Sequence, residues 1–192
     1  MIADIVGPQP RVVFCGLACA ESTNLRDHYY SNPSNNFWDM LHRSGLTPER
    51  LGPDRETQVV DHGLGLTDVV RHISTSPPTW DVDELVAKVE RWRPDWLAFT
   101  AKGTAQGVAR VLGVRRPQLG PADWYIGESQ VFVLPGTSGA NQRKDYDGRP
   151  NRLSWWHTLA ELVDQPSTPT ASPSDVPRHA APDHSSGPVS GR

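Results

Sequence analysis

Short apolar runs alternate with helix-like segments along most of this chain, and this alternation limits the fold more than any other feature. The apolar runs occupy residues 11–16, 95–100 and 130–135, and they read as strands buried on both faces. Apolar residues at helical spacing occupy residues 37–44, 83–92, 103–112 and 151–163. Strands alternating with helices predict an α/β fold, a three-layer αβα sandwich around a short central parallel sheet.

Local signals mark the ends of these elements. Gly45 stands where a C-terminal cap belongs, and Asp81 with Glu84 predicts a capping box before the helix over 83–92. The polar stretch 17–36 predicts a long loop, which in a compact domain is more often functional than accidental. Residues 61–70 predict a strand or loop that leads into a site.

Composition divides the chain after residue 163. Residues 164–192 are mostly Pro, Ser, Thr, Ala, Asp and His, with no aromatic residue and only two valines, so this segment cannot bury a core. We therefore expect one domain over 1–163 and a disordered tail over 164–192.

Charge and cysteine content restrict the function. The net charge is −3, whereas proteins that bind nucleic acid through bulk charge are usually basic, so any DNA binding must use a local patch or a pocket. The two cysteines, Cys15 and Cys19, suggest no disulfide framework and cannot supply the four ligands of an iron–sulfur cluster. The histidines show no metal-ligand spacing, so neither a metal nor a cofactor is expected.

No apolar run reaches the ~18 residues that a membrane span needs, and the N-terminus lacks the pattern of a secretory signal. We expect a cytoplasmic protein with no membrane partner.

In a parallel α/β sheet, ligands bind beyond the carboxyl ends of the strands. The loops after residues 16 and 135 and the segment near Asp68 should therefore converge on one cleft.

Two segments carry a family resemblance. Tyr30-Ser31-Asn32-Pro33-Ser34-Asn35-Asn36-Phe37-Trp38 and Leu134-Pro135-Gly136-Thr137-Ser138-Gly139-Ala140-Asn141 resemble the base-pocket and strand-insertion segments of the mismatch-specific uracil-DNA and thymine-DNA glycosylases. The resemblance covers roughly residues 11–163. It implies a fold like that of uracil-DNA glycosylase, and cleavage of the bond between deoxyribose and a base flipped out of double-stranded DNA.

The resemblance implies a base pocket in which Tyr30 stacks on the extruded base; the alternative is a surface tyrosine. Phe37 and Trp38 are interpreted as core residues. The pocket residues that it implies are Gly16, Leu17, Ala18, Tyr30 and Asn35.

The first strand departs from the family pattern. In the mismatch-specific uracil-DNA glycosylases the equivalent strand ends with an asparagine that positions the attacking water. This chain has Ala18 at that position, and a methyl group cannot position water. Asp68 is our candidate catalytic residue in its place, because a carboxylate can stabilise an oxocarbenium-like sugar and activate water. The alternative is that Asp68 or Thr67 caps a helix at Val69.

The resemblance also implies a DNA-binding loop. Ala140 stands where mismatch-specific members have a bulky apolar wedge, and backbone N–H groups of Gly136 to Gly139 are candidates for holding a phosphate. Arg115 and Arg116 are further candidate phosphate contacts. The predicted DNA-binding residues are Gly136, Thr137, Ser138, Gly139, Ala140, Asn141, Arg143 and Lys144.

We therefore predict a monofunctional DNA glycosylase that acts as a monomer and needs no cofactor. No lysine is placed in the pocket, so lyase chemistry is not expected. The expected base is of uracil type or a modified pyrimidine, since the small residues Ala18, Cys19, Ala20 and Gly136 leave room for a base larger than uracil, such as a modified cytosine. Two alternatives stay open: an enzyme that attacks modified cytosines of phage DNA in antiviral defence, and a catalytically silent binder of mismatched or abasic DNA.

Overall fold

A computed structural model describes residues 2–21 and 27–165, and a seven-stranded sheet runs through its middle. The strands are β1 (Ile5–Val6), β2 (Val12–Cys19), β3 (Leu64–His72), β4 (Thr79–Trp80), β5 (Trp96–Phe99), β6 (Gly120–Ile126) and β7 (Ser129–Val133). Their order is β1-β3-β2-β5-β7-β6, with β4 also on β3. The four central strands β3, β2, β5 and β7 are parallel, and β1, β4 and β6 join them antiparallel. The predicted α/β fold with a parallel centre is confirmed.

The four predicted helices are present, each within two residues of its expected ends. They are α1 (Phe37–Arg43), α2 (Val82–Trp92), α3 (Lys102–Leu112) and α4 (Leu153–Asp164), and a 3-10 segment covers Pro53–His62. Gly45 follows α1 with a φ of 88°, and its N–H bonds the carbonyl of His42 at 2.9 Å, so this terminating glycine is confirmed.

Alternate residues of the central strands supply two separate cores, one on each face of the sheet. Val12 and Phe14 of β2 pack with residues of α1 and α4, and the Phe14 ring stacks on Trp156 with centroids 5.5 Å apart. Val13 and Cys15 pack on the opposite face with residues of α2 and α3. Strands buried on both faces explain the continuous apolar runs, and the result is three layers.

Two local predictions were wrong. The stretch 17–36 is not entirely a loop, because β2 continues to Cys19 by pairing with β3 as far as Arg71. Within that stretch, residues 22–26 lie outside the described residues. Asp81 precedes α2 without a side-chain capping bond; its carboxylate instead meets Nε2 of His72 at 2.9 Å. The Asp81 side chain therefore bonds His72 of β3 and forms no capping box.

An edge strand and the end of the last helix complete the described part of the chain. Strand β6 was missed, since it pairs antiparallel at the edge and does not read as a buried run. Helix α4 ends at Asp164, next to the expected domain boundary, and the predicted tail beyond residue 165 lies outside the described residues. Among the described helices, none combines the length and apolar character needed to cross a membrane.

Candidate active site

The apolar row on one face of β2 and β3 ends in a glycine and a carboxylate. Phe14 and Leu66 belong to the core between the sheet and α1 and α4, and the next residues on the same face are Gly16 and Asp68. In the parallel register, Gly16 lies directly opposite Asp68. At this cross-strand pair a polar group follows the apolar core, one residue beyond the level at which the neighbouring parallel strand β5 ends, because Phe99 lies opposite Cys15.

The absence of a side chain at residue 16 makes room for two functional groups. A Cβ on Gly16 would meet both the carboxylate of Asp68 and the hydroxyl of Tyr30. The alternative that Asp68 or Thr67 caps a helix is wrong, because β3 continues through Val69 to His72. Strand geometry thus points Asp68 toward Gly16 and Tyr30.

These groups face a cavity of about 290 Å³. Eight predicted site residues line it: Gly16, Leu17, Tyr30, Asn35, Asp68, Gly136, Thr137 and Ser138. Ala18, predicted as a pocket residue, does not line the cavity. It lies two residues beyond Gly16 on β2, where it pairs with Val70. Thus three chain segments that are distant in sequence converge here, as the carboxyl-edge rule predicts.

Tyr30 is held by contacts on its ring and on its hydroxyl. Its ring stacks on Phe37 with centroids 3.8 Å apart and planes 8° from parallel. Its hydroxyl donates to Oγ1 of Thr100 at 3.1 Å, and Thr100 in turn donates to the carbonyl of Cys15 at 3.3 Å. Burial, and then the negative charge of Asp68, raise the pKa of the Tyr30 hydroxyl well above its ordinary value. The hydroxyl therefore stays protonated at neutral pH.

Phe37 and Trp38 belong to the core, as predicted; Phe37 is fully buried and Trp38 nearly so. Thr100 was missed as a site residue. Its signal was present, because it is the last residue of the strand predicted over 95–100 and directly follows β5, which is where parallel sheets place site residues.

Glu56 was also missed, and no sequence pattern pointed to it. This buried residue of the 3-10 segment accepts the backbone N–H of Tyr29 through Oε2 at 2.6 Å, and Oε1 lies 3.0 Å from Nδ1 of His28. The carboxylate thereby holds the backbone immediately before Tyr30. His28, two residues before Tyr30, contacts Glu56 and does not line the cavity.

Glu56→Ala is expected to destabilise the protein by about 1–3 kcal/mol, because it leaves the buried N–H of Tyr29 without an acceptor. The loss should also raise KM for DNA more than it lowers kcat, since Tyr30 would be less well positioned. Thermal unfolding and steady-state kinetics measure the two effects. Glu49→Ala, on an exposed carboxylate that pairs with Arg55, is the control and should change neither KM nor kcat.

The loop after β7 packs against the segment that carries Asn35. The N–H of Asn36 donates to the carbonyl of Thr137 at 2.9 Å. Gly139 lies so close to Ser34 that a Cβ there would come within 2.6 Å of the Ser34 carbonyl oxygen. The predicted pocket segment and the predicted insertion loop therefore form one structural unit.

Side chains from the same loop also brace it from within. Nδ2 of Asn141 donates to the carbonyl of Gly136 at 2.8 Å, and Arg152 donates to the carbonyls of Gly136 and Ser138 at 3.2 and 3.0 Å. Asn141, predicted to contact DNA, is thus an internal support of the loop. Ala140, Arg143 and Lys144 are exposed. In the described part of the chain, no group of three or more His, Cys, Asp or Glu is arranged to hold a metal ion.

The comparison with known families agrees with this geometry. Residues 3–160 match the sequence model of the uracil DNA glycosylase superfamily. The match covers most of the chain, and the protein belongs to this superfamily. Membership indicates a DNA glycosylase, a hydrolase of base excision repair that acts on uracil-type bases in DNA.

Proposed function

We propose that this protein is a monofunctional DNA glycosylase in which Asp68 activates the attacking water. The observation that carries the proposal is the position of Asp68: it shares the cavity with Tyr30 and lies opposite Gly16, just beyond the level at which the parallel strands β5 and β7 end. Ala18 offers no group that could take this role, and it does not line the cavity.

The reaction follows from the chemistry of these groups. A flipped nucleotide places its base against Tyr30, and its bond from C1′ to the base nitrogen breaks with the electron pair leaving on the base. The sugar gains oxocarbenium character, which the Asp68 carboxylate stabilises. Water then adds its oxygen to C1′ and transfers a proton to Asp68, and the product is an abasic site.

Asn35 is suited to reading the base. Its Oδ1 accepts the backbone N–H of Phe37 at 3.0 Å, so the side chain has its NH₂ group to offer a ligand. A carbonyl oxygen of a pyrimidine is a matching acceptor. The cavity volume of about 290 Å³ lies at the small end for ligand pockets, which suits a single base.

The lining residues support hydrolysis without strand cleavage. A lyase needs an amine to form a Schiff base with the sugar, and no lysine is among the described residues that line the cavity. Lys102 follows the lining residue Ala101, and its Nζ bonds Asp147 and Gln118, each at 2.7 Å. We propose that this amine is structural.

The test is incubation of the protein with matched duplexes that carry G:U, G:T, hypoxanthine or glucosylated hydroxymethylcytosine. We expect base release, detected as strand breaks that appear only after alkali, from a uracil-type substrate. Release from the modified cytosine alone would favour an antiviral role. Breaks before alkali would contradict the monofunctional assignment, and binding without release from any duplex would contradict the proposed activity.

A further inference from the structure

A second and larger depression lies between α3 and strand β4, away from Asp68. Its volume is about 600 Å³, and three arginines contribute to its lining: Arg71, Arg110 and Arg116. Trp80 and Gln106 line it as well, and no carboxylate is among the described residues that do so. We call this depression the arginine groove.

The positive charge of the groove is not neutralised by ion pairs. Within the described ranges, Arg71, Arg110 and Arg116 form no salt bridge; Arg116 donates to the neutral amide of Gln106 at 2.8 Å. The nearby carboxylate of Asp81 is engaged with His72. Three uncompensated guanidinium groups around one depression favour an anionic ligand.

The tryptophan of the groove is fixed in place. Its ring lies directly on α3 at Gly107, where a Cβ would overlap the indole. The guanidinium of Arg71 lies over this ring, 5.6 Å from the centroid. Nε of Arg71 and Nε1 of Trp80 are buried without a hydrogen-bond partner among the described residues. Arg71 is therefore held by ring contact, which leaves its charge available to the groove.

A small depression shares lining residues both with the arginine groove and with the cavity that contains Asp68. Ala101 and Gly136 line both that cavity and the small depression, which Lys102 and Arg143 also border. Gly103 lines both the small depression and the arginine groove. From Gly103 to Arg110, helix α3 rises about 10 Å, which corresponds to about three base-pair steps of duplex DNA.

We propose that the arginine groove binds the phosphodiester backbone of the DNA strand beside the flipped nucleotide. The proposal rests on the proposed function, in which a base of that strand occupies the cavity. It accounts for DNA binding by a protein whose net charge is −3, because the phosphates meet a local cationic track and not the whole surface.

The test compares the double variant Arg110→Ala/Arg116→Ala with the wild type in binding to a duplex that carries a non-hydrolysable abasic-site analogue. Fluorescence anisotropy across a salt series gives the dependence of affinity on salt. Removing two phosphate contacts should flatten the slope of log K against log salt by about 2 and weaken binding about tenfold or more at low salt. Arg71 is left unchanged because it packs on Trp80.

Arg50→Ala/Arg91→Ala is the matched control, since it removes the same charge from exposed positions that line neither depression nor the cavity. Its salt slope should equal that of the wild type. An unchanged slope in the groove variant would overturn the proposal. So would selective loss of binding to a deoxynucleoside monophosphate with duplex binding intact, because the groove would then be a small-anion site.

Duplex length supplies a second readout. Shortening the DNA to about 3 base pairs beyond the analogue, on one side at a time, should abolish the difference between wild type and groove variant on one side only. Equal differences on both truncated duplexes would contradict a directional track. These measurements need no turnover, so a flattened slope in a protein that releases no base would keep the groove assignment and reject the glycosylase.

Discussion

Asp68→Asn is expected to lower the rate of base release by about 100-fold to 10,000-fold, the range in which a general base contributes. Asparagine keeps the shape of the side chain, but it can neither accept the proton of water nor stabilise a cationic sugar by charge. DNA affinity should stay close to that of the wild type, because the cavity keeps its shape. Single-turnover kinetics at saturating enzyme isolate the chemical step from binding.

Asp83→Asn is the matched control for this prediction. Asp83 is exposed on α2, so the exchange removes the same charge without touching the cavity, and base release should be unchanged. Wild-type rates in Asp68→Asn would reject the carboxylate as the base. Adding Ala18→Asn to Asp68→Asn should not restore activity, since residue 18 does not line the cavity. Restoration would instead show that the first strand can still position the water.

Gly16→Ala should lower kcat/KM by at least about 100-fold, although it adds only one methyl group. The new Cβ would occupy space that the Asp68 carboxylate and the Tyr30 hydroxyl now fill, so both groups must move. Displacement of catalytic groups by about 1 Å costs on the order of 100-fold in rate. Measured base release, together with the melting temperature, separates this local effect from unfolding.

Gly52→Ala adds the same methyl group at a site where the nearest atom is the carboxylate oxygen of the exposed Asp54, which can move aside. Its activity should match that of the wild type. If Gly16→Ala retained full activity with an unchanged melting temperature, the close approach of Gly16, Asp68 and Tyr30 would have no functional importance.

The buried strands could be predicted from the sequence. Continuous apolar runs at 95–100 and 130–135 predicted β5 and β7, because strands buried on both faces have no polar alternation. Strands at the edge of the sheet could not be predicted in this way. β6 has exposed positions at Pro121, Asp123 and Tyr125, and its pairing with β7 depends on a partner that local sequence does not reveal.

The residues of the candidate site could likewise be predicted only in part. The aromatic and asparagine positions around Tyr30 and the glycine-rich loop after β7 follow a recognisable spacing, so their place in one cavity could be predicted. Glu56 and Thr100 could not be assigned their roles, because each acts through a contact with a residue far away in the chain. The arginine groove has the same origin, since its members come from β3, α3 and the segment after α3.

The sequence alone determined which residue types the site contains: a carboxylate at 68, an alanine where an amide is usual, and a glycine at 16. Only the tertiary structure decided that residues 16 and 68 are cross-strand neighbours and that Ala18 lies outside the cavity. The physical reason is strand register. A shift of one residue would turn each side chain to the opposite face, and the pairing that sets this register joins segments about 50 residues apart.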